Sequence, residues 1–243
     1  MSRPRLLLVP EFSEVEWHPI RGRLEEWADV ASYDPPGVGD EPAGETFDRA
    51  AIVGRGLEEL DRRGWDHCFV ASDSWGIASA VILAVERPAA VDGLALGHAK
   101  LTFRREGPRA PLNAGVYEAI NELVEKDHEK FLRHGMVQAT GGSVDEEQAE
   151  RLIKRFPRNL IRGGWRMITR DDVDLRPLLE QLDCPLLFAK HEGCLGSTDE
   201  GFEDAAAAFP RARVVSVTDA PLTSDAFAGA LREFCEEEAG PRP

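Results

Sequence analysis

The segment Ser72-Asp73-Ser74-Trp75-Gly76 has the pattern of a turn between a strand and a helix. An apolar run, Cys68-Phe69-Val70-Ala71, precedes it, and a helix-like segment from Ile77 to Val85 follows it. A strand, a sharp turn and a helix in this order lift a nucleophilic serine out of a parallel sheet. The turn requires small residues two positions before and two positions after the serine, because a bulky side chain would collide with the neighbouring backbone. Ser72 and Gly76 meet this requirement, so we expect the Ser74 hydroxyl at a sheet edge.

Short apolar runs and amphipathic segments alternate along the chain, which is typical of right-handed βαβ crossovers. Six runs are predicted to be strands: residues 5–9, 29–33, 67–71, 91–96, 185–189 and 213–217. Between them we predict helices, one opened by Thr46 as N-cap and the last one by Ser224. The acidic tail after Phe234 is predicted to fray. The fold class is therefore α/β, a mostly parallel six-stranded sheet with helices on both faces.

The alternation breaks once, between about Leu101 and Pro177, where the pattern is helical. Helices are predicted over residues 116–134 and 143–156, with Gly141-Gly142 between them. Ser143 and Glu146 have the spacing of a capping box, which opens the second helix. We therefore predict a core domain, residues 1–100 and 177–243, and a helical cap inserted at residues 101–176.

Composition limits the classes of partner. The formal net charge of −15 disfavours nucleic acid and acidic membrane surfaces, because both attract positive charge. The longest apolar run, residues 78–85, is far shorter than the ~20 residues that cross a bilayer, and the N-terminal run is too short for a signal-peptide core. We expect a soluble, cytoplasmic protein that binds a small molecule. No pattern indicates its oligomeric state.

The cysteines do not indicate a metal or a disulfide framework. Cys68, Cys184, Cys194 and Cys235 lack the paired spacing that zinc sites and small disulfide-rich domains show. No dinucleotide-binding loop follows a strand either, because Gly37-Val38-Gly39 lacks the third glycine and the helix of that motif. We therefore expect neither a metal nor a cofactor.

The chain resembles the α/β-hydrolase superfamily over nearly its full length, on three landmarks. The first is the serine turn at residues 72–76. The second is Asp34-Pro35-Pro36-Gly37-Val38-Gly39-Asp40-Glu41-Pro42, which is similar to the D-x-P-G-x-G-x-S-x-x-P loop after the second strand of compact members. The third is the closing pair of predicted strands, each followed by a loop and a helix. The resemblance implies a sheet with helices on both faces and a helical cap, or lid, over the catalytic edge.

The resemblance also implies functional residues. It assigns Ser74 as the nucleophile and the backbone N–H groups of Trp75 and Phe12 as the oxyanion hole. The helix that begins near Gly76 would direct its N-terminal dipole toward developing negative charge. A pocket beneath the lid would hold a small, apolar substrate.

The catalytic triad implied by the resemblance is degenerate in this chain. Cys194 stands where the family has an aspartate, with Glu192 two residues before it, and the loop at residues 218–223 contains no histidine. Removing the base of a serine triad costs roughly 10⁶ in kcat. Ordinary triad hydrolysis therefore requires a base from another position.

Two histidines follow predicted strands and are candidates for that base. His98 comes just after residues 91–96, and His191 comes just after residues 185–189. Either one could be oriented by Glu192 or Asp219. Asp73, inside the serine turn, is expected to bind local backbone.

Three functions stay open on this basis. The first is hydrolysis of a small ester, thioester or lactone by Ser74 with a non-standard base. The second is a cofactor-free, non-hydrolytic enzyme, a lyase or cyclase, on the same scaffold. The third is a catalytically inactive ligand-binding protein, which the retained serine turn disfavours because an inactive site has no chemical need of it.

Overall fold

The computed structural model describes residues 3–42, 47–99, 101–102, 119, 122–139, 147, 150, 154, 173–192, 199–219 and 221–239. All six predicted strands form, and they make one sheet in the order β2-β1-β3-β4-β5-β6 with every neighbouring pair parallel. The strands are β1 Arg5–Val9, β2 Asp29–Ser32, β3 Cys68–Asp73, β4 Val91–Gly97, β5 Leu186–His191 and β6 Arg213–Val217. The predicted α/β class with a parallel six-stranded sheet is confirmed.

Helices pack on both faces of this sheet. Within the described residues they are α1 His18–Glu25, α2 Arg49–Arg63, α3 Ile77–Glu86, α4 His128–Ala139, α5 Arg176–Leu179, α6 Asp199–Ala208 and α7 Asp225–Glu238. Short 3-10 helices occupy Glu14–Trp17, Ser74–Gly76, Pro88–Ala90 and Pro221–Thr223. None of the helices in this part of the chain has both the length and the apolar character needed to span a bilayer.

The apolar residues of β1 enter two separate cores. Leu7 and Val9 belong to the core that includes α2 and α3, whereas Leu6 and Leu8 belong to the core that includes α1 and α7. Successive side chains of a strand point to opposite faces, so an unbroken apolar strand requires cover on both sides. Burying one such side chain contributes about 1.5–3 kcal/mol. The two cores therefore hold β1 in place, and the carboxyl end of β1 at Val9 lies next to the serine turn.

Helix capping agrees with one prediction and corrects another. Ser224 caps α7 as predicted, since its hydroxyl accepts from the Phe227 N–H at 3.2 Å. The N-cap of α2 is Asp48 rather than Thr46, because the Asp48 carboxylate accepts from the Ala51 N–H at 2.9 Å. Thr46 itself lies outside the described residues.

The C-terminal tail does not fray where the sequence predicted. The helix α7 continues past Phe234 to Glu238, and Cys235 is fully buried. Its thiol extends the apolar face that Phe227 and Leu231 begin, so burial holds this part of the helix against the sheet. The prediction of fraying from Cys235 onward is therefore wrong for residues 235–238.

The two ends of the predicted cap insertion lie next to each other. The Leu175 N–H donates to the Leu101 carbonyl at 2.7 Å, and Thr102 pairs with Asp174 in an antiparallel bridge. A segment inserted between two strands of a core must leave and re-enter at neighbouring points, as this one does. The division into a core, residues 1–100 and 177–243, and a cap, residues 101–176, stays a prediction.

Within the predicted cap, the structure divides the helix that the sequence predicted over residues 116–134. Residues 122–126 are helical, the helix breaks at Asp127, and α4 follows it. The Asp127 carboxylate accepts from the Lys130 N–H at 3.1 Å, which caps the new helix start. The predicted capping box of Ser143 and Glu146 lies outside the described residues.

Candidate active site

The turn after β3 holds Ser74 in a strained backbone conformation. Its φ of +52° lies in the left-handed region that residues other than glycine rarely adopt. The Ser72 hydroxyl donates to the Val9 carbonyl at 2.9 Å and fastens the end of β3 to β1. A Cβ at Gly76 would lie 2.6 Å from that hydroxyl and 3.1 Å from the Glu11 nitrogen. The predicted need for a small residue two positions after the serine is therefore confirmed at Gly76.

Three side chains form a hydrogen-bonded chain along the carboxyl edge of the sheet. Asp73 Oδ1 lies 2.6 Å from His98 Nδ1, and His98 Nε2 lies 2.9 Å from His191 Nδ1. These residues come from the ends of β3, β4 and β5, which are neighbours in the sheet. Asp73 and His98 are both buried. An ionised Asp73 accepts the Nδ1 proton of His98 and fixes the orientation of its ring.

Gly97 provides the space that this chain of side chains requires. It pairs with Asp73 in the sheet register, and a Cβ at Gly97 would collide with Asp73 Oδ1 and approach Pro221. The Asp73 carboxylate therefore lies across the glycine and reaches His98. His98 has a φ of +49°, so the chain turns sharply at the end of β4 and directs the imidazole back toward β3.

The environment of His191 favours its neutral form. Burial and the charge of His98 lower the pKa of His191, while Asp73, the Thr218 carbonyl and the charge of Asp219 act in the opposite direction. A neutral imidazole keeps one lone pair that can accept a proton. Because both ring nitrogens of His98 contact other side chains, a proton moving along this edge involves the two imidazoles together.

The loop after β1 binds a carboxylate from its own chain. Glu16 Oε1 accepts from the N–H groups of Phe12 at 2.9 Å and Ser13 at 3.0 Å, and its Oε2 accepts from the Glu11 N–H at 3.0 Å. Ser13 and Glu16 form a capping box on the 3-10 helix at Glu14–Trp17, which is the local reason for this arrangement. Burial, and to a smaller extent the charge of Asp73, raise the pKa of the Glu16 carboxyl while the three N–H bonds lower it, and the net result is a pKa raised from 4.5 to about 7.

No family model matches the chain. The biotin biosynthesis bifunctional protein BioHC of Cellvibrio japonicus is 27% identical over 193 residues, which is 77% of this chain and 38% of that protein. The chain therefore spans about two fifths of the length of the curated relative that it matches.

Solved structures match nearly the whole chain. A hydrolase from Oleispira antarctica has 15% identity and a TM-score of 0.81, covering 97% of this chain and 92% of that one. The enol-lactonase from Burkholderia xenovorans LB400 has 16% identity and a TM-score of 0.74, covering 99% and 93%. A bromoperoxidase from Bacillus anthracis has 16% identity and a TM-score of 0.81, covering 97% and 92%. The chain has the α/β-hydrolase fold.

On this α/β-hydrolase fold, the structure brings together two of the residues predicted for the site and adds one. His98 and His191 contact each other, but the carboxylate that orients His98 is Asp73. The expectation that Asp73 binds local backbone was wrong, because β3 extends two residues beyond its predicted end and places Asp73 beside Gly97. Extending the predicted strand β3 from Ala71 to Asp73, directly before Ser74, would have placed Asp73 at the carboxyl edge of the sheet.

The other candidates lie elsewhere or keep their predicted role. Glu192 is exposed, and its backbone N–H donates to the Val217 carbonyl at 3.0 Å, so the structure does not place its carboxylate in the chain that orients His98. Cys194 lies outside the described residues. The Trp75 carbonyl accepts from Arg49 Nη1 at 3.4 Å, and the Trp75 N–H stays a predicted oxyanion donor. The Phe12 N–H is held by Glu16, which competes with its predicted role.

Proposed function

We propose that this protein is a serine-dependent hydrolase of a small ester, thioester or lactone, with Ser74 as its nucleophile. One observation carries the proposal: the Asp73–His98–His191 chain begins at the residue that immediately precedes the strained Ser74. A carboxylate and an imidazole in this relation are the elements that activate a serine hydroxyl. The names of two structural neighbours, a hydrolase and an enol-lactonase, support the same class of reaction.

In this mechanism the Ser74 oxygen attacks the substrate carbonyl carbon while its proton passes to the imidazole pair. The Asp73 carboxylate stabilises the imidazolium that forms, and the Trp75 N–H donates to the developing oxyanion. The same proton then passes to the leaving alcohol, thiol or lactone oxygen, and water releases the acyl group from Ser74. General-base assistance contributes about 10²–10⁴ in rate.

His98 is our candidate for the base, because Asp73 orients it, and His191 is its partner in the pair. In the structure His98 Nε2 contacts His191 Nδ1. The proton of Ser74 therefore reaches His98 when this contact opens, or reaches the pair through His191. A small, apolar substrate beneath the predicted cap and a cytoplasmic location belong to the same proposal.

A second candidate function is a cofactor-free, non-hydrolytic enzyme or a ligand-binding protein. Two observations favour it: both ring nitrogens of His98 contact other side chains, and the Phe12 N–H contacts Glu16. Neither the base nor this donor is poised for acyl transfer in that arrangement. The two candidates differ in whether Ser74 reacts with an electrophile.

A fluorophosphonate probe tests the reactivity of Ser74. We expect the wild-type protein to be labelled, because the probe phosphonylates activated serines, and we expect Ser74→Ala to abolish labelling. Ser216→Ala, at an exposed position of β6, is the matched control and should label like the wild type. Intact-protein mass spectrometry measures the rate. A folded wild-type protein that the probe does not label over pH 6–9 would exclude an activated serine and favour the second candidate.

Histidine variants then identify the base. His98→Gln should slow labelling about 10²–10⁴-fold if His98 accepts the proton. A comparable loss in His191→Gln shows that the pair acts together, whereas an increase shows that His191 restrains His98. The exposed His67, which pairs with Asp92, provides the control variant His67→Gln. Unchanged labelling in both site variants would remove the imidazoles from the mechanism.

A further inference from the structure

The loop between β1 and the following 3-10 helix has the arrangement of an anion site. Three successive backbone N–H groups, those of Glu11, Phe12 and Ser13, converge on the two oxygens of one carboxylate at 2.9–3.0 Å. Successive N–H groups that point into one concavity form a nest, which binds anions. The anion bound here is the carboxylate of Glu16, which follows Glu11, Phe12 and Ser13 by five, four and three residues.

This loop also lies against the serine turn. The position of a Cβ at Gly76 would be 3.1 Å from both the Glu11 nitrogen and the Pro10 carbonyl carbon. The loop that holds Glu16 therefore packs against the turn that carries the candidate nucleophile Ser74, with the Glu11 nitrogen nearest to Gly76. The Phe12 N–H is the group that the sequence predicts as an oxyanion donor.

Burial and the neighbouring charge both disfavour the ionised form of the Glu16 carboxyl. Glu16 is 8% exposed, and the ionisable group whose charge acts on it is the carboxylate of Asp73 at the end of β3. A second buried carboxylate, Asp34 after β2, accepts from the Ser13 hydroxyl at 2.7 Å and from the Glu14 N–H at 3.0 Å. Burial opposes ionisation, and the neighbouring Asp73 carboxylate adds to this effect, so the pKa of Glu16 is raised to about 7.

We propose that Glu16 is a built-in occupant of the oxyanion position. While its carboxylate holds the Phe12 N–H, the carbonyl oxygen of a substrate cannot accept from that group. The site becomes competent when Glu16 gives up this hydrogen bond. The inference deepens the proposed function and rests on it for the identity of the substrate oxygen; the anion site itself does not depend on a reactive serine.

Acetate binding to Glu16→Ala tests the anion site directly. With the Glu16 side chain truncated, we expect acetate to bind the three N–H groups and to shift the amide resonances of Glu11, Phe12 and Ser13 in ¹H–¹⁵N spectra. The wild type and Glu14→Ala, which removes a carboxylate from the same 3-10 helix, should show no such shifts. Absence of acetate-induced shifts in a folded Glu16→Ala protein would overturn the inference.

Fluorophosphonate labelling tests the consequence for catalysis. One oxyanion donor contributes about 10²–10³ in rate, so we expect Glu16→Ala to be labelled at least tenfold faster than the wild type above pH 7. A labelling rate equal to or below that of the wild type would show that Glu16 only caps the helix. Acetate binding in a protein that no probe labels would retain the anion site and reject serine hydrolysis.

A second variant covers the case in which Glu16→Ala does not fold. Glu16→Gln keeps one acceptor oxygen but cannot ionise. In the wild type we expect the Phe12 and Ser13 amide resonances to titrate together with a midpoint near pH 7, and in Glu16→Gln we expect this titration to vanish and labelling above pH 7 to accelerate. A Glu16→Gln labelling rate equal to that of the wild type above pH 7 would overturn the inference.

Discussion

At the scale of single residues, the candidate site depends on glycines that leave room for side chains of other strands. Gly97 is the clearest case, since any Cβ there would approach Asp73 Oδ1 more closely than real side chains do. The Asp73 carboxylate cannot move away without losing its 2.6 Å contact with His98. Because Gly97 has no side chain, Asp73 can reach His98 and orient its imidazole.

Gly97→Ala is therefore expected to damage both the site and the fold. The added methyl should displace Asp73 from His98, slow fluorophosphonate labelling to the level of His98→Gln, and destabilise the protein by about 1–3 kcal/mol, as overpacking usually does. The matched control is Gly54→Ala, within α2, where a Cβ meets nothing within 4 Å. We expect Gly54→Ala to raise the free energy of unfolding by about 0.5–1 kcal/mol. Urea denaturation measures both variants, and unimpaired labelling of Gly97→Ala would contradict the role of Asp73.

At the scale of elements, the ends of strands and helices carry the differences between prediction and structure. The strands β3, β4 and β5 each extend at their carboxyl ends beyond the predicted boundaries, because main-chain pairing continues after the apolar run stops. The extended ends supply Asp73 and His191. The helix α2 begins later than predicted because Asp48, not Thr46, has the side chain that accepts from the first turn.

The cap of α2 gives a direct test of that boundary. Asp48→Ala removes the acceptor of the Ala51 N–H, so we expect the free energy of unfolding to fall by about 1 kcal/mol. Glu58→Ala, at an exposed position in the same helix, is the control and should change stability by less than about 0.5 kcal/mol. Equal stabilities of the two variants, measured by urea denaturation, would place the helix start elsewhere.

At the scale of the whole molecule, the buried carboxyl of Glu16 couples folding to pH. Its pKa is about 7 in the folded protein against an ordinary value of 4.5. A folded-state pKa above the unfolded value means that folding favours the protonated form. The contribution of the protonated Glu16 carboxyl to folding stability is therefore complete below about pH 4.5 and is lost as the pH rises through about 7.

Glu16→Gln is expected to remove this part of the pH dependence. The difference in unfolding free energy between wild type and variant should change by on the order of 3 kcal/mol between pH 4.5 and pH 8, with the wild type losing stability relative to the variant as pH rises. Urea denaturation across this range measures it, and Glu14→Gln provides the control. A difference that is constant with pH would show that Glu16 ionises at its ordinary pKa.

Local residue pattern is enough to predict the architecture and to single out the turn that carries Ser74. Apolar runs such as Arg5–Val9 specify strands that are covered on both faces, and the small residues Ser72 and Gly76 specify the turn that presents Ser74, because these are local and periodic properties. The helix cap at Ser224 follows from the same kind of local chemistry.

Which side chains meet beside the Ser74 turn depends on the order of the strands in the sheet. Asp73, His98 and His191 are separated by 25 and 93 positions, and they come together because β3, β4 and β5 are neighbours in the sheet. The contact of Glu16 with the Phe12 N–H is local, because Ser13 and Glu16 have the spacing of a capping box; only the position of this loop against the serine turn depends on the tertiary structure. The meeting of Asp73, His98 and His191 leaves no periodic trace in the sequence, because contacts between strand ends depend on strand order and on the space left by Gly97 rather than on local residue pattern.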